Sequence, residues 1–196
     1  MERVSRSLST LFYWLRPSQK LTTLMQASAF TLATGFVGAA WAASPWTAVG
    51  STGVVDEADA AEVNFSSGVA QISGAAPASS SVTLRYNVTA IADLDNGGVN
   101  KRLSARFRDN GSDARVVLSL RQYNYNSGLT TTLLTLDSNT RPANAAYQTH
   151  SVSDGCWTTS FDFSQNAYFI EAVLTRTSTA GSPGLAILRV EDADLC

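Results

Sequence analysis

Histidine occurs once in this sequence, as His150, and cysteine twice, as Cys156 and Cys196. With one histidine and two cysteines expected to be bridged to each other, no zinc or copper site is expected. A Ser-His-Asp hydrolase would have to use His150 as its base. No serine lies in a G-x-S-x-G turn, and the nearest run, Gly181-Ser182-Pro183-Gly184, lacks both that spacing and a following helix. His150 is therefore read as a strand-surface histidine. Paired carboxylates for glycoside hydrolysis cannot be assigned: Glu171 is the one acid embedded in a long apolar strand, and both glycosidase geometries need two. No repeat of fixed period is present, which excludes a solenoid or propeller. Chemistry has no constellation to work with, and the expectation is a protein that is not an enzyme.

The sequence opens with a basic stretch and then lacks charge. Arg3, Arg6, Arg16 and Lys20 stand against Glu2, and then Leu21 to Ser44 runs for 24 residues without a charge. The run ends in small residues, with Ala40-Trp41-Ala42 as an A-x-A site. These are the parts of a secretory signal peptide. The rival is an uncleaved anchor, since about 20 apolar residues span a bilayer. Thr22, Thr23, Gln26, Ser28, Thr31 and Thr34 dilute the stretch, and no basic stop follows. The expected organisation is a signal peptide over 1–42 and one domain over 43–196. The protein would be secreted, periplasmic or at a bacterial cell surface, touching membrane only through the signal segment if that stays uncleaved.

Losing residues 1–42 removes four of the 14 basic residues and one of the 16 acidic ones, leaving 10 against 15. A domain with a formal charge of about −5 is unsuited to nucleic acid or an anionic membrane surface as its main partner. Both cysteines lie in the exported part, where an even count favours a bridge. Cys156–Cys196 would close a loop of about 40 residues and add roughly 4 kcal/mol on the chain-entropy account. Trp157 would pack on that disulfide.

The rest of the chain is short apolar alternation broken by Gly, Asn, Asp and Ser. Ser81–Ala92 is the clearest strand, with Val82, Leu84, Tyr86 and Val88 on one face and Thr83, Arg85, Asn87 and Thr89 on the other. Trp46 and Val54-Val55 supply an edge. Val63 with Phe65, and Val69 with Ile72, flank the turn residues Ser66-Ser67-Gly68. Leu129–Leu136, Tyr147–Val152 and Trp157–Phe163 add three more strands, and the run 167–190 reads as two long strands forming a closing hairpin. Nine to eleven strands, with turn signals every 8–14 residues and no helix, predict an all-β fold. The expected architecture is an antiparallel two-sheet β-sandwich, jelly-roll-like. In general style it resembles the all-β accessory and carbohydrate-binding modules of exported bacterial proteins.

Asn110-Gly111 is a type I′ signal and predicts a hairpin from Arg102 to Tyr123. That register sets Phe107 against Ala114, Ala105 against Val116 and Leu103 against Leu118, with apolar residues at every second pair. It also sets Arg106 opposite Arg115, with Arg108 and Arg121 on the same outer face and Arg85 able to join them. Like charges directly opposite destabilise a sheet. A carboxylate or sulfate ligand would relieve them, because guanidinium groups bind such anions bidentately. An ordinary outer face with acids from neighbouring strands is the other reading. Tyr123 and Tyr125 alternate onto one face at a strand end, placed either to stack on sugar rings or to cap the core.

No cofactor is expected, and calcium is the one metal whose oxygen ligands the sequence offers. Asp93 and Asp95 begin like an EF-hand loop, but its fifth and twelfth positions are Gly97 and Ser104. A second grouping sets Asp56, Glu57 and Asp59 against Glu191, Asp192 and Asp194, near the first and last strands. Turn formation and solubility account for the same acids without a metal. Three functions stay open, in order: an exported non-catalytic β-sandwich binding a glycan or other anionic cell-surface ligand, a structural or self-associating cell-envelope protein, and a hydrolase of unknown substrate.

Overall fold

The structure is a computed structural model that describes residues 44–91, 94, 100–155 and 161–193. The expected signal segment, Cys156 and Cys196 with their expected bridge, Trp157, and the acids Asp93, Asp95 and Asp194 lie outside the described residues. Eleven strands are present among the described residues: β1 Trp46–Val49, β2 Val54–Val55, β3 Val63–Ser66, β4 Val69–Ile72, β5 Ser80–Val88, β6 Asn100–Asp109, β7 Ala114–Asn124, β8 Thr130–Asp137, β9 Asn144–Ser153, β10 Asn166–Arg176 and β11 Gly184–Ala193. Only single 3-10 turns interrupt them, so the all-β expectation holds.

Two antiparallel sheets form. One has the order β3-β4-β11-β6-β9, with β1 also paired to β11; the other has the order β2-β5-β10-β7-β8. The alternating residues of β5 and β10 turn one face inward: Val82, Leu84, Tyr86 and Val88 from β5, and Tyr168, Ile170, Ala172 and Leu174 from β10. From the other sheet, Leu103, Ala105 and Phe107 of β6 and Leu188 and Val190 of β11 join the same core. This is a β-sandwich in which each inner face supplies alternate side chains. From β4 onward the chain passes between sheets at every connection except β7–β8, which gives the jelly-roll-like path.

Two predicted hairpins are overturned by this path. β6 pairs with β11 and β9, whereas β7 pairs with β10 and β8, so Asn110-Gly111 links the two sheets. The apolar alternation that set Leu103 against Leu118 is satisfied equally well by two strands facing each other across a core. Alternation specifies which face is buried and leaves the hydrogen-bonded neighbour open. Asn110 is held by the other crossover: its Nδ2 donates to the Ala180 carbonyl (2.8 Å), and its Oδ1 accepts from the Ser182 amide (2.6 Å). The expected pairing of the last two long strands fails for the same reason, because β10 and β11 also lie in different sheets.

The type I′ geometry appears elsewhere. Ser66 pairs with Val69 across a two-residue loop in which Ser67 (φ 51°) and Gly68 (φ 84°) are both left-handed. The stretch 157–163 is described from Phe161 onward, and Phe161–Phe163 is not strand. Phe161 stacks on Tyr168 with ring centroids 4.2 Å apart, and Phe163 meets Tyr168 edge-on at 4.9 Å. This aromatic group closes one end of the core.

Beneath it lies the least expected feature of the interior. Lys101 is fully buried and bonds the carboxylate of Asp192, itself nearly buried. Both are inward positions of their strands, and the Lys101 ammonium sits 5.3 Å from the Phe161 ring centroid.

Candidate functional site

The predicted arginine cluster is divided between two surfaces. Arg106 faces Ile187 and Thr149 on the six-stranded sheet, and Arg115 faces Thr175 on the five-stranded one, so the like-charge opposition does not exist. Arg108 donates to the carbonyl and hydroxyl of Ser182 (2.8 and 2.6 Å) and lies 5.3 Å from the Tyr147 ring.

On the outer face of the five-stranded sheet Arg85, Arg115 and Arg121 each meet an acid, whereas Arg176 points inward and donates to the Ala76 and Pro77 carbonyls. Arg115 makes a two-pronged bond to Asp137 (3.1 and 2.6 Å), and Arg85 makes another to Asp56. Glu171 lies between two arginines, 2.7 Å from Arg121 and 3.6 Å from Arg85. Its place on an otherwise apolar strand is thereby explained: β10 runs between β5 and β7, and Glu171 neutralises an arginine from each side. Among the described residues this outer face pairs three cations with three acids and leaves no cation for an anion to answer.

The hydrogen bond from Arg115, with the backbone N–H of Asn139 adding to it, holds the Asp137 carboxyl below its ordinary value, against an opposing push from partial burial. A carboxyl depressed in the native state stabilises the fold at pH values above its unfolded pKa, about 3.9. That stabilisation is lost as pH falls through the lower native value. The pair is half exposed on the arginine side, so its contribution is about 0.2–1 kcal/mol. Asp137→Asn is therefore expected to unfold slightly earlier than the parent at pH 7. The two thermal midpoints should converge as pH falls below about 4; midpoints that stay parallel down to pH 3 would contradict the assignment.

The acids grouped as a calcium site are separated. Asp56 is on Arg85, and Asp59 accepts the Thr83 amide at 2.9 Å. Glu191 serves Arg189 and Arg102, and Asp192 serves Lys101. No group of three metal-ligating acids, histidines or cysteines occurs among the described residues. His150 is half-buried on the inner side of β9, its ring 5.2 Å from Phe107. No serine hydroxyl bonds to it among the described residues.

Tyr123 and Tyr125 give the clearest site. They are 44% and 81% exposed, so neither caps the core. Together they flank a groove of about 370 Å³ whose other walls are Phe163, Ser164, Gln165, Asn166 and Ala167. Every lining residue among the described ones is uncharged.

The groove is built to be stiff. Asn124 folds the loop after β7 by accepting from the amides of Asn126 (3.1 Å) and Ser127 (2.9 Å) and from the Ser127 hydroxyl (3.0 Å). The Tyr125 amide donates to the Gln165 carbonyl at 2.8 Å, and Asn126 Nδ2 donates to Gln165 Oε1 at 2.7 Å. Asn166 Oδ1 accepts from both Gln122 (2.8 Å) and Asn124 (2.9 Å). Two segments far apart in sequence are thus locked side by side, and the Gln165 Nε2 amide group keeps no partner among the described residues. The sequence signalled the tyrosines through their alternation. Gln165 and Asn166 sit in the polar run Ser164-Gln165-Asn166, which reads like any loop.

No family model matches the sequence, and no curated protein matches it. Among solved structures it is similar to the C-terminal CBM6 of LamC, a marine laminarinase from Zobellia galactanivorans. The two are 14% identical with a TM-score of 0.42, over 76% of this chain and all of that one. It is also similar to the CBM35 of Abf62 from Cellvibrio japonicus (19% identity, TM-score 0.38, 75% of this chain and 92% of that one). A family two carbohydrate esterase from Cellvibrio japonicus is similar at 13% identity and a TM-score of 0.40, over 78% of this chain; the chain spans only 35% of that esterase. At these identities and TM-scores the likenesses assign no ligand and no site.

Proposed function

We propose that the chain is an exported, non-catalytic β-sandwich that binds a glycan in the groove between Tyr123–Tyr125 and Phe163–Asn166. The carrying observation is the pairing of two exposed tyrosine rings with an uncharged, amide-lined groove of about 370 Å³. A pyranose presents apolar C–H faces and a rim of hydroxyls. Tyrosine offers an apolar face with a polar tip, and a carboxamide can both donate to and accept from a hydroxyl. The volume falls in the range of small-ligand pockets. The absence of charge in the lining supports a neutral sugar at this position. The loop's own hydrogen bonds hold Tyr125 in place before any ligand arrives, which lowers the ordering cost of binding.

The reading is tested with a panel of neutral gluco-, xylo-, galacto- and manno-oligosaccharides. At least one should bind, and Tyr125→Ala should weaken that binding about tenfold, equivalent to about 1.4 kcal/mol. Tyr123→Ala should weaken it to a similar degree, with the unfolding midpoint little changed because both rings are exposed. Failure of the whole panel to bind, or binding indifferent to both substitutions, would sink the proposal.

A further inference from the structure

The outer face of the six-stranded sheet carries a charge imbalance that the tyrosine groove does not use. Its outward residues from β6 are Arg102, Ser104, Arg106 and Arg108, and those from β11 include Ile187, Arg189 and Glu191. β9 adds Thr149 and Ser151, and β1 adds Thr47 and Val49. Among the described residues of these strands four arginines therefore face outward with a single acid, Glu191, which Arg189 (2.9 Å) and Arg102 (3.7 Å) already share. On the outer face of the opposite sheet three arginines meet three acids among the described residues. The outer face of the six-stranded sheet thus carries an excess of positive charge that its counterpart lacks.

The imbalance has a centre. Arg106 is exposed and has no acid partner among the described residues. With Arg189, Glu191, Thr149, Ser104 and the half-exposed Ile187, it lines a depression of about 260 Å³. Two guanidinium groups, two hydroxyls and one apolar side chain meet there, with the Glu191 carboxylate engaged by Arg189 and the Arg106 guanidinium left to a ligand. Guanidinium groups form parallel bonds to carboxylate or sulfate oxygens, and the hydroxyls suit neighbouring sugar hydroxyls.

We infer that this face is a second binding surface, for an anionic polysaccharide bearing carboxylate or sulfate groups, centred on Arg106 and Arg189. Flat sheets suit an extended chain, and the arginines spaced along β6 would meet successive charged residues of it. The inference stands independently of the tyrosine groove, which lies on the other sheet.

The test uses the intact chain and four probes: polygalacturonate for carboxylate, dextran sulfate for sulfate, neutral dextran, and vesicles of anionic phospholipid. Retention by at least one of the two acidic polysaccharides is expected, weakening as salt rises because exposed charges are screened. Arg106→Ala should weaken it about tenfold, and Arg106→Ala with Arg189→Ala further. Arg115→Ala on the other sheet and Tyr125→Ala should leave it unchanged. Arg106→Lys should recover part of the loss, since charge is restored without the bidentate fork. Thermal midpoints near the parent's would show that the variants remain folded. Retention by neither acidic polysaccharide, retention by vesicles only, or a loss on Arg115→Ala equal to that on Arg106→Ala would each overturn the inference.

Discussion

Asp192→Ala is expected to destabilise the fold by about 3–5 kcal/mol, the usual result of breaking a buried ion pair and leaving one charge behind. Lys101 has no exposed surface, and its ammonium bonds Asp192 against the Phe161 ring. Removing the carboxylate leaves that ammonium without an anion, and its stem is too enclosed for the charge to reach water. For a domain of this size each kcal/mol shifts the thermal midpoint by about 2–4 °C, so a fall on the order of 10 °C is expected. The pair as a whole contributes far less than its disruption costs. Lys101→Met combined with Asp192→Leu replaces both charges by apolar groups of similar volume and should restore most of the lost stability. Calorimetry on the parent, the single variant and the double variant checks this. A single variant within 2 °C of the parent would mean that Lys101 is not enclosed as described.

Gly50→Ala should be the second large effect, at about 3 kcal/mol, near the upper end for overpacking. Gly50 stands where the chain leaves β1 on one sheet and heads for β2 on the other. A Cβ there would lie 1.9 Å from the Leu185 carbonyl oxygen and 3.0 Å from the Ala70 amide nitrogen. Both neighbours are backbone, so neither can rotate away. The Gly50 carbonyl is also fixed, accepting a 2.7 Å bond from the buried Tyr86 hydroxyl, whose pKa burial pushes well above the ordinary phenol value. Gly74→Ala is the control, because nothing lies within 4 Å of its added Cβ. Urea unfolding should separate the two variants clearly; equal midpoints would contradict the close approach of β1 and β11.

Much of this architecture was legible because a strand's side chains repeat every two residues. The inward faces of β5 and β10 were readable residue by residue, as were the two strands around Ser67-Gly68 and the β-sandwich class itself. The pairing of strands was not. Asn110-Gly111 satisfied both the turn rule and the alternation rule, yet both are equally satisfied when the chain crosses between sheets. The Asn110 side chain settles the matter through bonds to Ala180 and Ser182, 70 and 72 residues away. That error moved the arginines onto one surface when they belong to two.

Part of the candidate site was readable for a comparable reason. Tyr123 and Tyr125 announce themselves by alternating at the end of a strand, and both rings are exposed. Gln165 and Asn166 join them only through hydrogen bonds about 40 residues apart in sequence. That Arg106 meets no acid among the described residues likewise follows from strand order, which places Ile187 and Thr149 beside it from β11 and β9. Glu171 was puzzling alone and becomes ordinary between Arg85 and Arg121.

The central claim is that Tyr123 and Tyr125 form the sugar-binding platform. Its most direct test is an NMR titration of the chain, with tyrosine ring and side-chain amide signals assigned, against the neutral oligosaccharide that binds best. Saturable shifts confined to Tyr123, Tyr125, Gln165 and their loop neighbours are predicted, with the His150 and Phe107 ring signals unmoved. Saturable shifts elsewhere, with the two tyrosine rings silent, would contradict it.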